Sequence, residues 1–318
     1  MYYRFDDCID NGLDLQGNLE KYYGFHISNI RPADRGSYGE TWLVNTLEGN
    51  FFVKVHFLKS ILEDYRNSLI ILDYLQRQAI EFIHTVILTI DGKLWCKYKG
   101  GVMAVFSYIS GQHCNRGVVP CKEICKLLSG LYKIPVEGRL METFSNTFDK
   151  SFETLQKVRN IPSLIKYVPT IEKYFNMLDE VAKICFNGSL KKVITHGDIG
   201  NNMIFHDDRF FVVDWDTAKI AHPERDLWYV VRSCEELELA KNELEKNGVG
   251  VSISINRMIY YALQSYFTHL WNHIVAIEGT TDEREKRRLV NYIRRYFFNG
   301  FFNDQIVFLQ ILILKVIR

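Results

Sequence analysis

The stretch "ITHGDIGNNMIFHDDRFFVVDWD", residues 194–216, carries an aspartate, two asparagines and a second aspartate at the ends of two apolar runs. Asp198 follows His196-Gly197, Asn201 and Asn202 stand before "MIF", and Asp214 ends "FFVV". A tight hairpin tipped by His206, Asp207 and Asp208 returns Asp214 to the side of Asn202. Phosphoryl transfer from a nucleotide needs such parts. One carboxylate can align a hydroxyl and take its proton, while a second carboxylate with an amide oxygen forms a hard-oxygen pair suited to Mg2+. The same chemistry needs a cation and backbone N–H groups on the phosphates. Lys54 lies mid-strand in "FFVKV", where a charge is costly without a partner. "RGSYGE" joins two strands and can cover phosphates through Gly36, Ser37, Tyr38 and Gly39.

The elements that must position these groups fall into two groups. A short helix over "NLEKYYG" precedes the strands "ISNIRPAD", "TWLVNT" and "FFVKVHF", the last two joined by the turn "LEGN". Apolar Ile61, Leu62, Leu69, Leu72 and Leu75 predict a helix from about Lys59 to Gln78. Strands return in "TVILTI", "KLWCKY" and "GVMAVFSYI". After "SGQHCNRG" the pattern turns helical: "CKEICKLLSGLYKIP" to Pro135, then 165–187 and 255–277. The division is a sheet-rich N-terminal lobe, residues 1–109, and a helical C-terminal lobe, residues 110–318, with a hinge around Ser107–Gly111.

Composition limits the alternatives. A chain of 318 residues with 47% hydrophobic and 24% charged residues can bury a large core as a soluble globular protein. A net charge of +1 gives no global pull toward nucleic acid or an anionic membrane. Seven cysteines without a Cys-x-x-Cys pair, and no zinc partner for Cys121 and Cys125, fit reduced thiols in a cytoplasmic protein. The start "MYYRFDDCIDNG" shows no export signal. The apolar tail "QIVFLQILILKVIR" is too short to span a bilayer and reads as a buried terminal helix or strand, with a membrane-surface or dimer contact as the alternative.

The combination "HGD…N", "VVDWD" and "AHPERDL" resembles the aminoglycoside phosphotransferase and choline kinase family. "EKYYGF…GSYGETWLV…FFVKV" is similar to its N-terminal lobe, "FSYISG" to its hinge and "LLSGLYKIP" to the following helix. "DWDTAKIAHPERDL" is most similar to the spectinomycin-type branch. The resemblance implies an α+β, bilobal protein-kinase-like fold, with an antiparallel N-terminal sheet carrying one main helix and a mostly helical C-terminal lobe. It implies Asp198 as the catalytic aspartate, Asn202 and Asp214 as Mg2+ ligands, and Lys54 on the α- and β-phosphates of ATP or GTP. The backbone of Ser107, Tyr108 and Ile109 would hold the purine. His196 would brace the catalytic loop, and Asp226 would order the C-terminal lobe. The acceptor it implies is a small hydroxylated, cationic compound such as an aminoglycoside or aminocyclitol. A choline, sugar or amino-alcohol kinase is an alternative, as is a non-catalytic relative of the spore-coat type.

The sequence departs from the family pattern in places. The usual D-x-x-x-x-N places Met203 where the asparagine belongs, so Asn201 stays a second candidate ligand. Glu63 and Asp64 are the candidate acidic partners of Lys54, although the apolar register of their helix brings Arg66 near that spot. Tyr132 stands where the family commonly has histidine. Only twelve positions separate Asp214 from Asp226 and no Ala-Pro-Glu follows, which argues against a protein kinase. Two further features read first as structural. The acidic run "CEELELAKNELEK" is a solvated helix face that could also line a cationic pocket. The stretch "MIYYALQSYFTHLWNHI" is core that could also offer Tyr260, Tyr266, Trp271 and His273 to the acceptor, while Trp215 reads as packing.

Overall fold

The structure is a computed structural model that describes residues 11–33, 39–136, 150–186 and 190–316. Gly36, Ser37 and Tyr38 of the expected phosphate loop lie outside the described residues.

Helix α1 (Asn11–Tyr23) precedes a sheet built from β1 (Ile27–Pro32), β2 (Gly39–Thr46), β3 (Asn50–His56), β4 (Val86–Ile87), β5 (Cys96–Tyr98) and β6 (Gly101–Ser107). Its order is β1-β2-β3-β6-β4, with β5 also pairing β6, and every described pairing is antiparallel. Strand periodicity decides what β3 does with its lysine. Successive side chains alternate between faces. Val53 and Val55 enter a core with Trp42, Val44, Met103, Val105 and the α1 residues Leu15 and Leu19. Lys54 and His56 therefore share the opposite face, toward helix α2 (Leu62–Arg77), which a single-turn 3-10 segment, Lys59–Ile61, introduces. A one-residue slip of β3 would bury Lys54 in the apolar core. The register Lys54↔Ala104 and Lys54↔Thr41 excludes it.

Helix α2 buries Leu62, Tyr65, Leu69, Ile71, Leu72 and Leu75, and these join a core that runs on through the helical part of the chain. That part contains β7 (Gln112–Cys114), α3 (Cys121–Tyr132), α4 (Ser151–Val158), α5 (Val168–Cys185), β8 (Val193–Thr195), the hairpin β9 (Met203–His206) and β10 (Arg209–Val212), and β11 (Lys219–Ala221). Helices α6 (Glu224–Val230), α7 (Cys234–Lys246), α8 (Ile255–Gly279), α9 (Glu283–Ile293) and α10 (Phe301–Val316) complete it. Helix α8 lies at its centre, touching α4, α5, α6, α9 and α10. Ser254 starts it by accepting the Arg257 N–H, which satisfies one of the unpaired donors of a helix N-terminus.

The tail is a helix, with Ile306, Leu309 and Leu312 buried along one face. By length and composition, the run Glu283–Leu314 is the one described stretch that could cross a membrane. Here Leu289, Ile293, Phe297 and Phe302 of that run are also buried in the core. The acidic run forms α7 and packs on α3. Cys96, Cys114, Cys121, Cys125 and Cys185 are free and buried, and Cys234 is free and half-buried.

Candidate active site

Two short antiparallel pairs deliver the polar groups. β8 pairs β11 through Thr195↔Lys219, and β9 pairs β10 through Met203↔Val212. The hairpin tip, Asp207 and Asp208, takes positive φ at both residues, 47° and 60°, which matches the twist of a tight two-residue connection. Just beyond β10, the Val213 N–H donates to the Asn202 carbonyl at 2.9 Å, so the strand pairing sets Asp214 beside Asn202. Asp214 itself is left-handed, at φ 62°, an uncommon conformation that aspartate tolerates better than most residues.

The loop after β8 is held by two residues. The Asp198 N–H donates to His196 Nδ1 at 3.2 Å, which leaves the ring proton on Nε2 to donate to the Val213 carbonyl at 2.9 Å. Burial lowers the His196 pKa, keeping the ring neutral in this role. Asp226 accepts the backbone N–H of His196 at 3.3 Å and of Gly197 at 2.5 Å, and the Tyr132 hydroxyl at 3.0 Å. Tyr132 thus supplies a hydrogen bond at the position where histidine is common in the resembled family.

Asn202 Nδ2 donates to the Asp198 carbonyl at 2.8 Å and to its carboxylate at 3.1 Å. Asn201 instead donates to the Tyr229 hydroxyl. The two asparagines therefore separate: one joins Asp198, the other anchors the loop to α6. A 3-10 turn, Ile199–Asn201, takes up the one-residue-short spacing. Burial and the neighbouring Asp214 carboxylate push the Asp198 pKa up to about 7.

Lys54 reaches in from β3. Its ammonium lies 2.6 Å from Asp214 and 2.5 Å from Asp216. His56, two residues along the strand, contacts the same Asp216 oxygen at 2.7 Å. Burial alone would lower the Lys54 pKa, but the two carboxylates outweigh it and raise it. Burial would likewise raise Asp216, yet Lys54 and then His56 hold it well below the usual carboxylate range.

This geometry corrects the expected lysine partner. Glu63 is exposed on α2 and does not pair with Lys54. Asp64 pairs with Lys219 at 2.9 Å. The helix carries Tyr65 toward His56, with ring centroids 4.3 Å apart, so the carboxylate comes from after β10 instead. Sequence reasoning passed over Asp216 and His56. The available signal was the i, i+2 spacing in both "KVH" and "DWD", which places like-facing residues side by side on extended chain.

The remaining expected residues divide. Gly39 begins β2, where a Cβ would overlap the Val55 carbonyl oxygen, so the close pairing there requires glycine. At the segment expected to be the hinge, the Ser107 N–H donates to the Thr85 carbonyl and the Tyr108 N–H to the Asn50 carbonyl, which leaves the Ile109 N–H without a bond to the described chain. Trp215 is buried against His196, as expected of a packing residue.

A cavity of ≈ 170 Å³ opens between α2 and α8 next to the loop, walled by His56, Asp64, Gly197, Asp216, Arg225 and Trp271 among others. Of the four aromatic candidates on α8, Trp271 lines it. Tyr266 is core, Tyr260 packs on Phe186, and His273 stacks on Tyr292. Beside Trp271, the cavity face of α8 is Tyr261, Gln264, Ser265, Thr268, His269 and Asn272, its less apolar stripe. No α7 residue lines it, so the acidic run does not serve this pocket.

No curated protein sequence matches the chain. Among solved structures, spectinomycin phosphotransferase in complex with ADP and spectinomycin superposes with a TM-score of 0.68 at 16% identity, covering 93% of this chain and 98% of that one. A choline kinase from Streptococcus pneumoniae gives 0.62 at 16% identity, covering 90% and 100%. Amicoumacin kinase with AMP-PNP, Ca2+ and its ligand gives 0.59 at 10% identity, covering 93% and 96%. These likenesses establish the bilobal protein-kinase-like fold. The sequence profile of the phosphotransferase enzyme family matches residues 29–247, a span that holds Lys54, Asp198, Asn202, Asp214, Asp216 and Asp226, and the chain belongs to that family.

Proposed function

We propose that this small-molecule phosphotransferase moves the γ-phosphoryl group of ATP or GTP to an acceptor hydroxyl, with Asp198 as the base. The observation that carries the reading is the convergence of Lys54 on Asp214 beside the Asn202–Asp198 hydrogen bond. In the transfer, the hydroxyl oxygen forms a bond to the γ-phosphorus, the bond from that phosphorus to the β–γ bridging oxygen breaks, and the proton passes to Asp198. A carboxylate with a pKa of about 7 suits this role, because its basicity matches a near-neutral working pH.

The residues fit Mg2+. Asp214 offers a carboxylate, and Asn202 spends its amide N–H on Asp198 while its amide oxygen keeps a lone pair. Mg2+, when bound, would be held by Asn202 and Asp214 and would neutralise phosphate oxygens. Lys54 would contact the α- and β-phosphates. Asp216 would keep the lysine paired and aimed when Asp214 turns to the cation, the part that a helix-borne carboxylate plays in protein kinases. The Ile109 N–H would meet a purine ring nitrogen. Gly36, Ser37, Tyr38 and Gly39 would cover the phosphates.

The spacing that raised a non-catalytic alternative is absorbed by the 3-10 turn, which still brings Asn202 to Asp198. An aminoglycoside or aminocyclitol acceptor is the finer family expectation. In this chain the cavity's described carboxylates, Asp64 and Asp216, are both already in ion pairs, so ammonium groups gain no open carboxylate there.

The test is Mg2+-dependent nucleotide binding by calorimetry together with nucleotide turnover over a panel of hydroxyl compounds. We expect binding in the wild type and in Asp198→Ala, and acceptor-stimulated turnover in the wild type alone. Absence of binding, or turnover unchanged in Asp198→Ala, would refute the assignment.

A further inference from the structure

One cation of the cavity wall has no place in the transfer chemistry above. Arg225, at the start of α6, donates from Nη1 to Thr195 Oγ1 at 2.8 Å and from Nη2 to the Thr217 carbonyl at 2.6 Å. Its guanidinium lies flat against Gly197, where a Cβ would collide with it, and this places a positive charge one residue from Asp198. Both acceptors are neutral. Among the described residues no carboxylate lies in ion-pair range of Arg225, although it is only half-buried and lines the cavity.

The other charges of the wall are matched. Lys219 holds Asp64 at 2.9 Å, Asp216 is shared by Lys54 and His56, and Lys150 holds Glu153 at 2.5 Å. The aromatic face that could cradle an ammonium is also taken: Lys150 and Lys157 lie over the Trp271 ring at 5.2 and 5.5 Å. Asp226 and Asp64 attract the guanidinium at longer range, but neither bonds to it, so a cationic acceptor would meet a guanidinium without a direct ion-pair partner and a Trp271 ring that two lysines already approach. An acid would meet a planar donor array with three N–H groups still free, the geometry that favours bidentate oxyanion binding.

Resting on the kinase reading above, we propose that the acceptor carries an oxyanion group beside its hydroxyl, a carboxylate or a phosphate ester, and that Arg225 holds it in the cavity while the hydroxyl faces Asp198. The anchored group undergoes no chemistry. Transfer forms the oxygen–phosphorus bond at the hydroxyl, releases the nucleoside diphosphate and leaves the proton on Asp198.

The experiment uses the full chain with ATP and Mg2+, measuring nucleotide binding separately from acceptor turnover. Four arms are compared: hydroxy and sugar acids, sugar phosphates, the primary amides of the same acids, and cationic acceptors (choline and amino sugars). The expected result is turnover of an acid with a KM at least tenfold below that of its amide. Arg225→Gln should raise the KM for the acid tenfold or more and leave that for the amide within twofold, and Arg225→Lys should fall between. If Arg225→Gln does not fold, the acid-against-amide comparison on the wild type decides alone. The carboxylate and phosphate arms identify which oxyanion is used. Amides equal to acids, or turnover confined to cations, would overturn the proposal. So would nucleotide binding with no acid turned over, whereas no nucleotide binding would overturn the kinase reading itself.

Discussion

Asp216→Asn removes the carboxylate that Lys54 and His56 share, and the structure sets the size of the effect. The Lys54 side chain is 9% exposed, Asp216 18% and Asp214 44%. Removing one partner of a buried ion pair costs ~3–5 kcal/mol, because the other charge stays buried and uncompensated. Lys54 keeps Asp214 at 2.6 Å, which places the loss at the lower end, ~3 kcal/mol. Asp214→Asn removes a carboxylate that is nearly half exposed, so solvent screening holds the loss to ~0–1 kcal/mol. The stability order is therefore wild type, then Asp214→Asn, then Asp216→Asn, although the first variant is the one expected to lose turnover outright. Urea unfolding followed by tryptophan fluorescence measures it, with buried Trp215 between the two aspartates as a local reporter. The pH dependence has a definite sign. The folded pKa of Asp216 is depressed, so its contribution is fully present above the unfolded value of ~3.9 and is lost as pH falls below it. The gap between wild type and Asp216→Asn should thus narrow on acidification from about pH 4. Equal losses in the two variants, or a gap indifferent to pH, would refute the reading that burial makes Asp216 the partner whose loss leaves Lys54 more destabilised.

Three other outcomes follow from the same geometry. Asp198 must be ionised to accept a proton, so wild-type kcat/KM should rise with pH through about 7, and Asp198→Asn should abolish turnover while nucleotide affinity persists, as calorimetry would show. Gly39→Ala forces a methyl into the Val55 carbonyl and should cost ~1–3 kcal/mol in thermal unfolding, with nucleotide affinity falling as β2 shifts. Asp226→Asn takes the charge from the acceptor that holds the His196 and Gly197 N–H groups. Its kcat should drop tenfold or more while the nucleotide KM stays within threefold, since the loop that carries Asp198 loosens and the Lys54 strand does not.

What the sequence alone determined lies in local pattern. Alternation in "FFVKVHF" places Lys54 on the face opposite Val53 and Val55, because strand side chains repeat every two residues. The apolar runs on either side of Asp207-Asp208 form a hairpin, and a hairpin returns Asp214 to Asn202 whatever surrounds it. The apolar positions of 255–277 make a helix. Each of these depends on neighbours within a few residues.

What only the tertiary structure decided depends on how distant elements dock. Whether Lys54 met Glu63, Asp64 or another carboxylate turned on the rotation of α2 about its own axis, which the packing of Tyr65, Leu69 and Leu72 sets and no local spacing reveals. The choice between Asn201 and Asn202 rested on a 3-10 turn that points one amide at Tyr229 and the other at Asp198. The phase of α8 decided that Trp271 lines the cavity while Tyr266 fills the core, and the docking of α6 carried Arg225 against Gly197. Side-chain facing within an element is written in the order of residues. Facing between elements is fixed only when two surfaces pack and expel water, and here that step decided the lysine's partners and the charge of the cavity wall.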